Sequence, residues 1–170
     1  MSAAIETGEF TKALPGKEIY LHPGQMYVSR EPIHISMILG SCAGVCLYDR
    51  HQAIGGATHY MLPQWDGSGT PSTRYGDVAL DVLFKQFQAH GSRPSDLEAT
   101  VCGGACMFEV FRSEDGSGDH IGSRNINMAF QTFSRLGIVI AARDTGGING
   151  RKIKMQTDTG SVAVAMIRNS

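Results

Sequence analysis

The chain has 170 residues, 42% of them hydrophobic and 18% charged, with a formal net charge of −1. That balance suits one packed domain and leaves no basic excess to hold nucleic acid. No apolar run approaches the roughly 20 residues of a spanning helix, and the N-terminus lacks the cationic start and apolar stretch of a secretion signal, so a cytoplasmic protein without direct membrane insertion is expected.

Residues 1–16, polar with one Pro-Gly, read as a flexible N-terminal arm, and 17–170 as a single domain. Lys17 to Leu21 and Met26 to Ser29 read as short strands around the turn His22-Pro23-Gly24. Residues 33–42, IHISMILGSC, form a strand ending in the tight turn Gly40-Ser41-Cys42. AGVCLYD and AIGGATHYM then predict a β-hairpin across Arg50-His51-Gln52. If Arg50 and His51 form a two-residue turn, Cys42 lies directly opposite His59, close enough for a thiol–imidazole contact. A one-residue change in loop length would send the two to opposite faces.

Residues 64–76 have the composition of a surface loop. Asp77 to His90 predicts a helix with Ala79, Val82, Leu83 and Phe87 on one face and Gly91 as its stop. Glu98 to Cys102 reads as a strand, 112–120 as a polar loop, and Asn125 to Leu136 as a second helix ended by Gly137. IVIAARD, RKIKMQT and SVAVAMI complete the strands. The expected fold is mixed α/β (α+β), a layered sandwich with much antiparallel pairing and two main helices.

A thiol attacks an amide carbonyl as thiolate, so it needs a base nearby and donors aimed at the developing oxyanion. Cys42 as nucleophile, His59 as base, and Gly40 and Ser41 as oxyanion and turn support satisfy that list. The competing reading makes Cys42 a packed, inert thiol, since free cysteine is often buried. A histidine that a hairpin aligns with it shifts the balance toward a site. Cys42, Cys46, Cys102 and Cys106 repeat a C-x3-C spacing that permits a metal-binding regulatory module. Cys46 is embedded in an apolar strand, and Cys102 and Cys106 flank Gly-Gly-Ala, so packing thiols and no metal are the better reading. The glycine-rich stretches lack the pattern of a phosphate loop.

The motifs LGSCAGVCLYD and IGGATHYMLP resemble the CheD family, the chemoreceptor glutamine deamidases of bacterial chemotaxis. YLHPGQMYVS, VCGGACMF, IGSRNINMAF and RDTGGINGRKIKMQTDTGSVAVAMI extend the likeness over residues from about 17 to 168. The resemblance implies a catalytic Cys–His pair at Cys42 and His59, and a third, hydroxyl-bearing member six residues before the nucleophile. That position is Ser36, where the family has threonine, and a partial loss is expected of Ser36→Ala. It also implies a sandwich similar to deamidating-toxin cysteine hydrolases, a thioester route from glutamine to glutamate, and no cofactor. Receptor cytoplasmic domains are the implied partners, with the CheC phosphatase as a second. The alternative is an adaptor that docks on receptors or CheC with little or no catalysis.

Overall fold

The computed structural model describes residues 5–7, 17–107 and 118–168. In chain order the elements are β1 (Ile5–Thr7), β2 (Lys17–Tyr20), β3 (Met26–Ser29), β4 (Ile33–Leu39), β5 (Ala43–Asp49), β6 (Ile54–Tyr60), α1 (Gly76–Ala89), β7 (Leu97–Gly103), α2 (Ile121–Leu136), β8 (Val139–Thr145), β9 (Arg151–Gln156) and β10 (Val162–Met166). A single 3-10 turn, Pro94–Asp96, precedes β7. One sheet runs β1-β10-β9-β4-β2 and the other β3-β6-β5-β7-β8.

Alternation along the strands builds three layers. Val45 and Leu47 of β5, Ile54 and Tyr60 of β6, and Ala99 and Val101 of β7 point to the two helices, where Leu83, Phe87 and Phe133 meet them. The intervening residues Cys46, Ala57 and Cys102 point the other way, against Ile35, Met37 and Leu39 of β4, Ile153 and Met155 of β9, and Val162 and Val164 of β10. The second sheet therefore has a core on both faces, an α–β–β sandwich of mixed strands as the sequence leads one to expect. Truncating Phe87 or Phe133 to alanine costs about 3–5 kcal/mol.

The helices differ from their predicted outlines in instructive ways. On α1 the buried face is Ala79, Leu80, Leu83, Phe84 and Phe87, while Val82 is only half-buried. Helix α2 starts four residues before the expected Asn125. His120 Nδ1 accepts from Ser123 N and Ser123 Oγ accepts from His120 N, a reciprocal cap that starts the helix directly after the stretch read as loop. Gly137 ends it with φ 74°. Three residues assigned to the N-terminal arm, Ile5–Thr7, form β1, pairing in parallel with Val162–Val164. So short a run carries no periodicity, and it becomes a strand because β10 offers an open edge. Residues 1–4 and 8–16 of that arm and most of the polar loop, 112–117, lie outside the described residues.

Candidate active site

Strand β4 belongs to one sheet and β5 to the other, so Gly40-Ser41-Cys42 is where the chain steps from layer to layer. All three carbonyls of the step are tied down. Gly40 O accepts from Ala105 N at 3.0 Å, Cys42 O from Gly104 N at 2.9 Å and Ser41 O from Asn125 Nδ2 at 2.9 Å. Gly103 makes the approach possible: it sits at φ 104°, and a Cβ there would collide with the Cys42 carbonyl oxygen. Cys42 is half-buried and packs against the inter-sheet core cluster to which Met37 and Cys46 belong.

The hairpin register differs from the predicted one. Four residues, Arg50 to Ala53, connect β5 and β6, and His59 pairs with Gly44 rather than with Cys42. The Asp49 carboxylate accepts from His51 N and Gln52 N, and Ala53 takes φ 52°, which builds a longer turn than Arg50-His51 alone. The correction moves the partner by two residues, an even number, so His59 still shares the inter-sheet face with Gly44 and Cys42. The two are diagonal neighbours instead of direct opposites. Gly44 lies between them, and a Cβ there would meet Met37 Sδ at 2.6 Å and Leu39 Cδ1 at 2.8 Å.

His59 is buried, and its ring nitrogens have unlike surroundings. Nδ1 lies 3.1 Å from Leu21 O. A carbonyl only accepts, so Nδ1 carries the proton and Nε2 presents its lone pair. Nε2 is buried with no hydrogen-bond partner among the described residues, so no hydrogen bond joins it to the Cys42 thiol. Such contacts are often loose before substrate binds. Burial lowers the imidazole pKa below its usual 6.5, the Leu21 bond opposes this and nearby His22 adds to it. Burial likewise raises the Cys42 thiol above 9.0, partly offset by its own backbone amide. Both shifts favour the uncharged forms, thiol and imidazole, over a thiolate–imidazolium ion pair.

Ser36 does not join them by its side chain. On β4 the residues facing the seam are Ile35, Met37 and Leu39, so the Ser36 hydroxyl alternates onto the outer face, where Tyr20 and Lys154 are its register partners. What Ser36 does offer is its carbonyl, which accepts from Leu21 N at 2.8 Å. Leu21 in turn orients His59. Gly24 N donating to His59 O, and His59 N donating to Gln25 O, hold the same turn against β6. The sequence reading missed Leu21 because a main-chain carbonyl has no residue signature.

A cavity of about 250 Å³ opens beside the step, walled by Ser41, Ala105, Cys106, Met107, His120 and Ile121, with the Asp119–Arg124 ion pair at its rim. Cys42 and His59 are not among its walls, so it adjoins the pair rather than enclosing it. None of the four cysteines is in a disulfide, and burial pushes Cys102 up to about 12 and Cys46 well above the usual thiol value, which suits packing thiols. Among the described residues no group of three or more His, Cys, Asp or Glu could hold a metal ion.

The family model described as CheD chemotactic sensory transduction matches residues 61–166, more than half of the chain. A protein of Trichlorobacter lovleyi is 40% identical over 148 residues, covering 87% of this chain and 89% of its own. One of Rhodospirillum rubrum is 40% identical over 151 residues, covering 89% and 83%. Both are named probable chemoreceptor glutamine deamidase CheD. A relative of Anaeromyxobacter dehalogenans, named probable chemoreceptor glutamine deamidase CheD 1, is 34% identical over 97% of this chain and 94% of its own, a span that takes in residues 42–59. Among solved structures, a Neisseria meningitidis protein of the DUF152 family model overlaps 72% of this chain and 52% of its own at 15% identity, with a TM-score of 0.41. With a family model over most of its length and relatives matched nearly end to end, the chain belongs to the CheD family.

Proposed function

We propose that this protein is a glutamine deamidase of chemoreceptors in bacterial chemotaxis, and that it works through a Cys42 thioester. The relatives' names support the reaction, and the carrying observation for the mechanism is His59: Nδ1 committed to Leu21 O, Nε2 bare, on the face that Cys42 shares. Nε2 takes the thiol proton as Sγ attacks the side-chain carbonyl carbon of a receptor glutamine. The oxyanion forms beside the Ser41–Cys42 backbone, whose amides are the proposed donors, with Gly40 allowing close approach. The C–N bond then breaks, and the imidazolium returns its proton to departing ammonia. Water, deprotonated by the same nitrogen, hydrolyses the thioester to glutamate and restores the thiol. Overall one amide and one water become one carboxylate and ammonium, with no cofactor in the balance.

A proton fixed on Nδ1 and an open lone pair on Nε2 suit a base and favour catalysis over an adaptor without it. Receptor cytoplasmic domains as substrate make the cytoplasm its place of work, consistent with the fact that no described helix is long and apolar enough to cross a membrane. A CheC-type phosphatase is the proposed second partner, tested by co-purification with and without receptor fragment. The reaction is tested by incubating protein with a receptor cytoplasmic fragment and following the gain of about 1 Da per glutamine converted by mass spectrometry. Wild type converts glutamine to glutamate, and full activity in Cys42→Ala overturns the mechanism.

A further inference from the structure

The backbone ladder of the β5–β6 hairpin ends at the pair Ala43 and Tyr60. Cys42 and Met61 lie one step beyond it, where the strands no longer hold each other. One side chain takes over at this point. Asn125, fully buried on α2, donates through Nδ2 to Ser41 O at 2.9 Å and to Met61 O at 3.0 Å. Both partners are carbonyl oxygens, so the amide nitrogen must face them and the orientation of the group is unambiguous. The helix itself is anchored at the same residue: Tyr60 Oη donates to Asn125 O at 2.6 Å. Tyr60 directly follows His59, and Ser41 directly precedes Cys42.

Chemistry argues against a merely space-filling asparagine. Asn125 has a neighbour, Ile126, and a residue one turn on, Ala129, in the apolar core, where an amide is a poor helix former. Its Oδ1 is buried without a partner among the described residues, a state that normally costs stability. The two N–H groups are what the position retains, and both reach the chain within two residues of Cys42 or His59.

We propose that Asn125 is a positioning residue that clamps the nucleophile strand to the base strand where their backbone pairing ends, and so sets the Cys42–His59 geometry. This rests on the deamidase reading above. Removing the clamp lets the two strand ends separate, and misplacement on the order of 1 Å lowers turnover about 100-fold.

The test compares Asn125→Ala with Phe133→Leu, a buried change on the same helix that touches neither strand end. Each is assayed for kcat and KM on a receptor cytoplasmic fragment, for thermal stability, and for the pH dependence of Cys42 alkylation by iodoacetamide. Asn125→Ala is expected to lose about 100-fold in kcat with KM within about threefold, and to alter the pH profile of alkylation. Phe133→Leu is expected to lose melting temperature while keeping kcat and the profile. Unchanged kcat and profile in Asn125→Ala, or an equal loss in Phe133→Leu, overturns the proposal. If Asn125→Ala does not fold, Asn125→Leu carries the test, since it fills a similar volume while removing both Nδ2 donors. A severalfold fall in its kcat supports the clamp, and an unchanged kcat overturns it. Wild-type protein that leaves receptor glutamines intact sinks the reaction instead, and the alkylation profile, which needs no substrate, still decides on Asn125.

Discussion

The two ends of one hairpin treat buried polar groups in opposite ways. At the turn, the fully buried Asp49 carboxylate accepts from His51 N, Gln52 N, Gln52 Nε2 and Ser92 Oγ, the last at 2.5 Å. Gln52 also accepts from Arg30. At the other end, His59 Nε2 and Asn125 Oδ1 are buried and have no partner among the described residues. A saturated network stabilises and specifies one geometry, whereas an open lone pair is held at a cost that a reaction can use. Within β5 and β6 the same pair of strands thus has a saturated base and an open tip.

That contrast breaks most sharply at the tip. Cys42→Ala is expected to abolish conversion, and His59→Ala to lower kcat by about 10²–10⁴-fold with melting temperature little changed, checked by mass spectrometry and calorimetry. A His59→Ala variant with wild-type turnover would remove the base from the mechanism. Gly103→Ala comes next. It forces alanine to φ 104° and a Cβ onto Cys42 O, so both stability and turnover fall, the latter by about 10-fold or more.

Asp49→Ala should do the reverse. Losing the hub of the saturated cluster costs about 2–3 kcal/mol in denaturant unfolding, while kcat at the far end stays within about twofold. Turnover that collapses along with stability would show that the two ends are coupled.

Changing pH sharpens the comparison further. His59 has its pKa below 6.5, so the base stays neutral through pH 7, and kcat/KM should fall only as pH drops through that lowered value. The unfolded chain takes up the histidine proton first, so this group's share of stability is intact above pH 6.5 and declines below it. Cys42, raised above 9.0, should be alkylated slowly at neutral pH and faster only in alkali. Rapid alkylation at pH 6 would point to a standing thiolate–imidazolium pair instead. Smallest of all is Ser36→Ala, expected to keep kcat within about twofold, because only the Ser36 carbonyl reaches toward the site, through Leu21 N. This is smaller than the partial loss expected from the sequence.

Much of the architecture was legible from residue pattern. The strands from β2 to β10 and the hydrophobic stripe of α1 followed from alternation and helical spacing, since burial imposes those periods locally. Val82 and Leu80 exchanged places on the α1 face because which side meets the sheet depends on the packing angle. The start of α2 at Ile121 was hidden because Gly122 and Ser123 are weak helix formers, and its cap, His120, is the last residue of the stretch read as loop. Ser36 shows the limit of transferring a role by position: its hydroxyl is on the sequence, but the strand's alternation decides where it points.

Cys42 and His59 were determined as candidates by the sequence alone, through their chemistry, the hairpin between them and the family motifs around them. Only the tertiary structure decided how they meet. A four-residue turn set by Asp49 moved His59 opposite Gly44, an even shift that kept the shared face. The carbonyl that orients the imidazole comes from Leu21, and the amide that holds both strand ends from Asn125, 38 and 64 residues away from their bonding partners on the β6 side. Such contacts arise from packing two sheets and a helix together. A carbonyl has no side chain to betray it, and a buried asparagine looks like any other until its partners are in place.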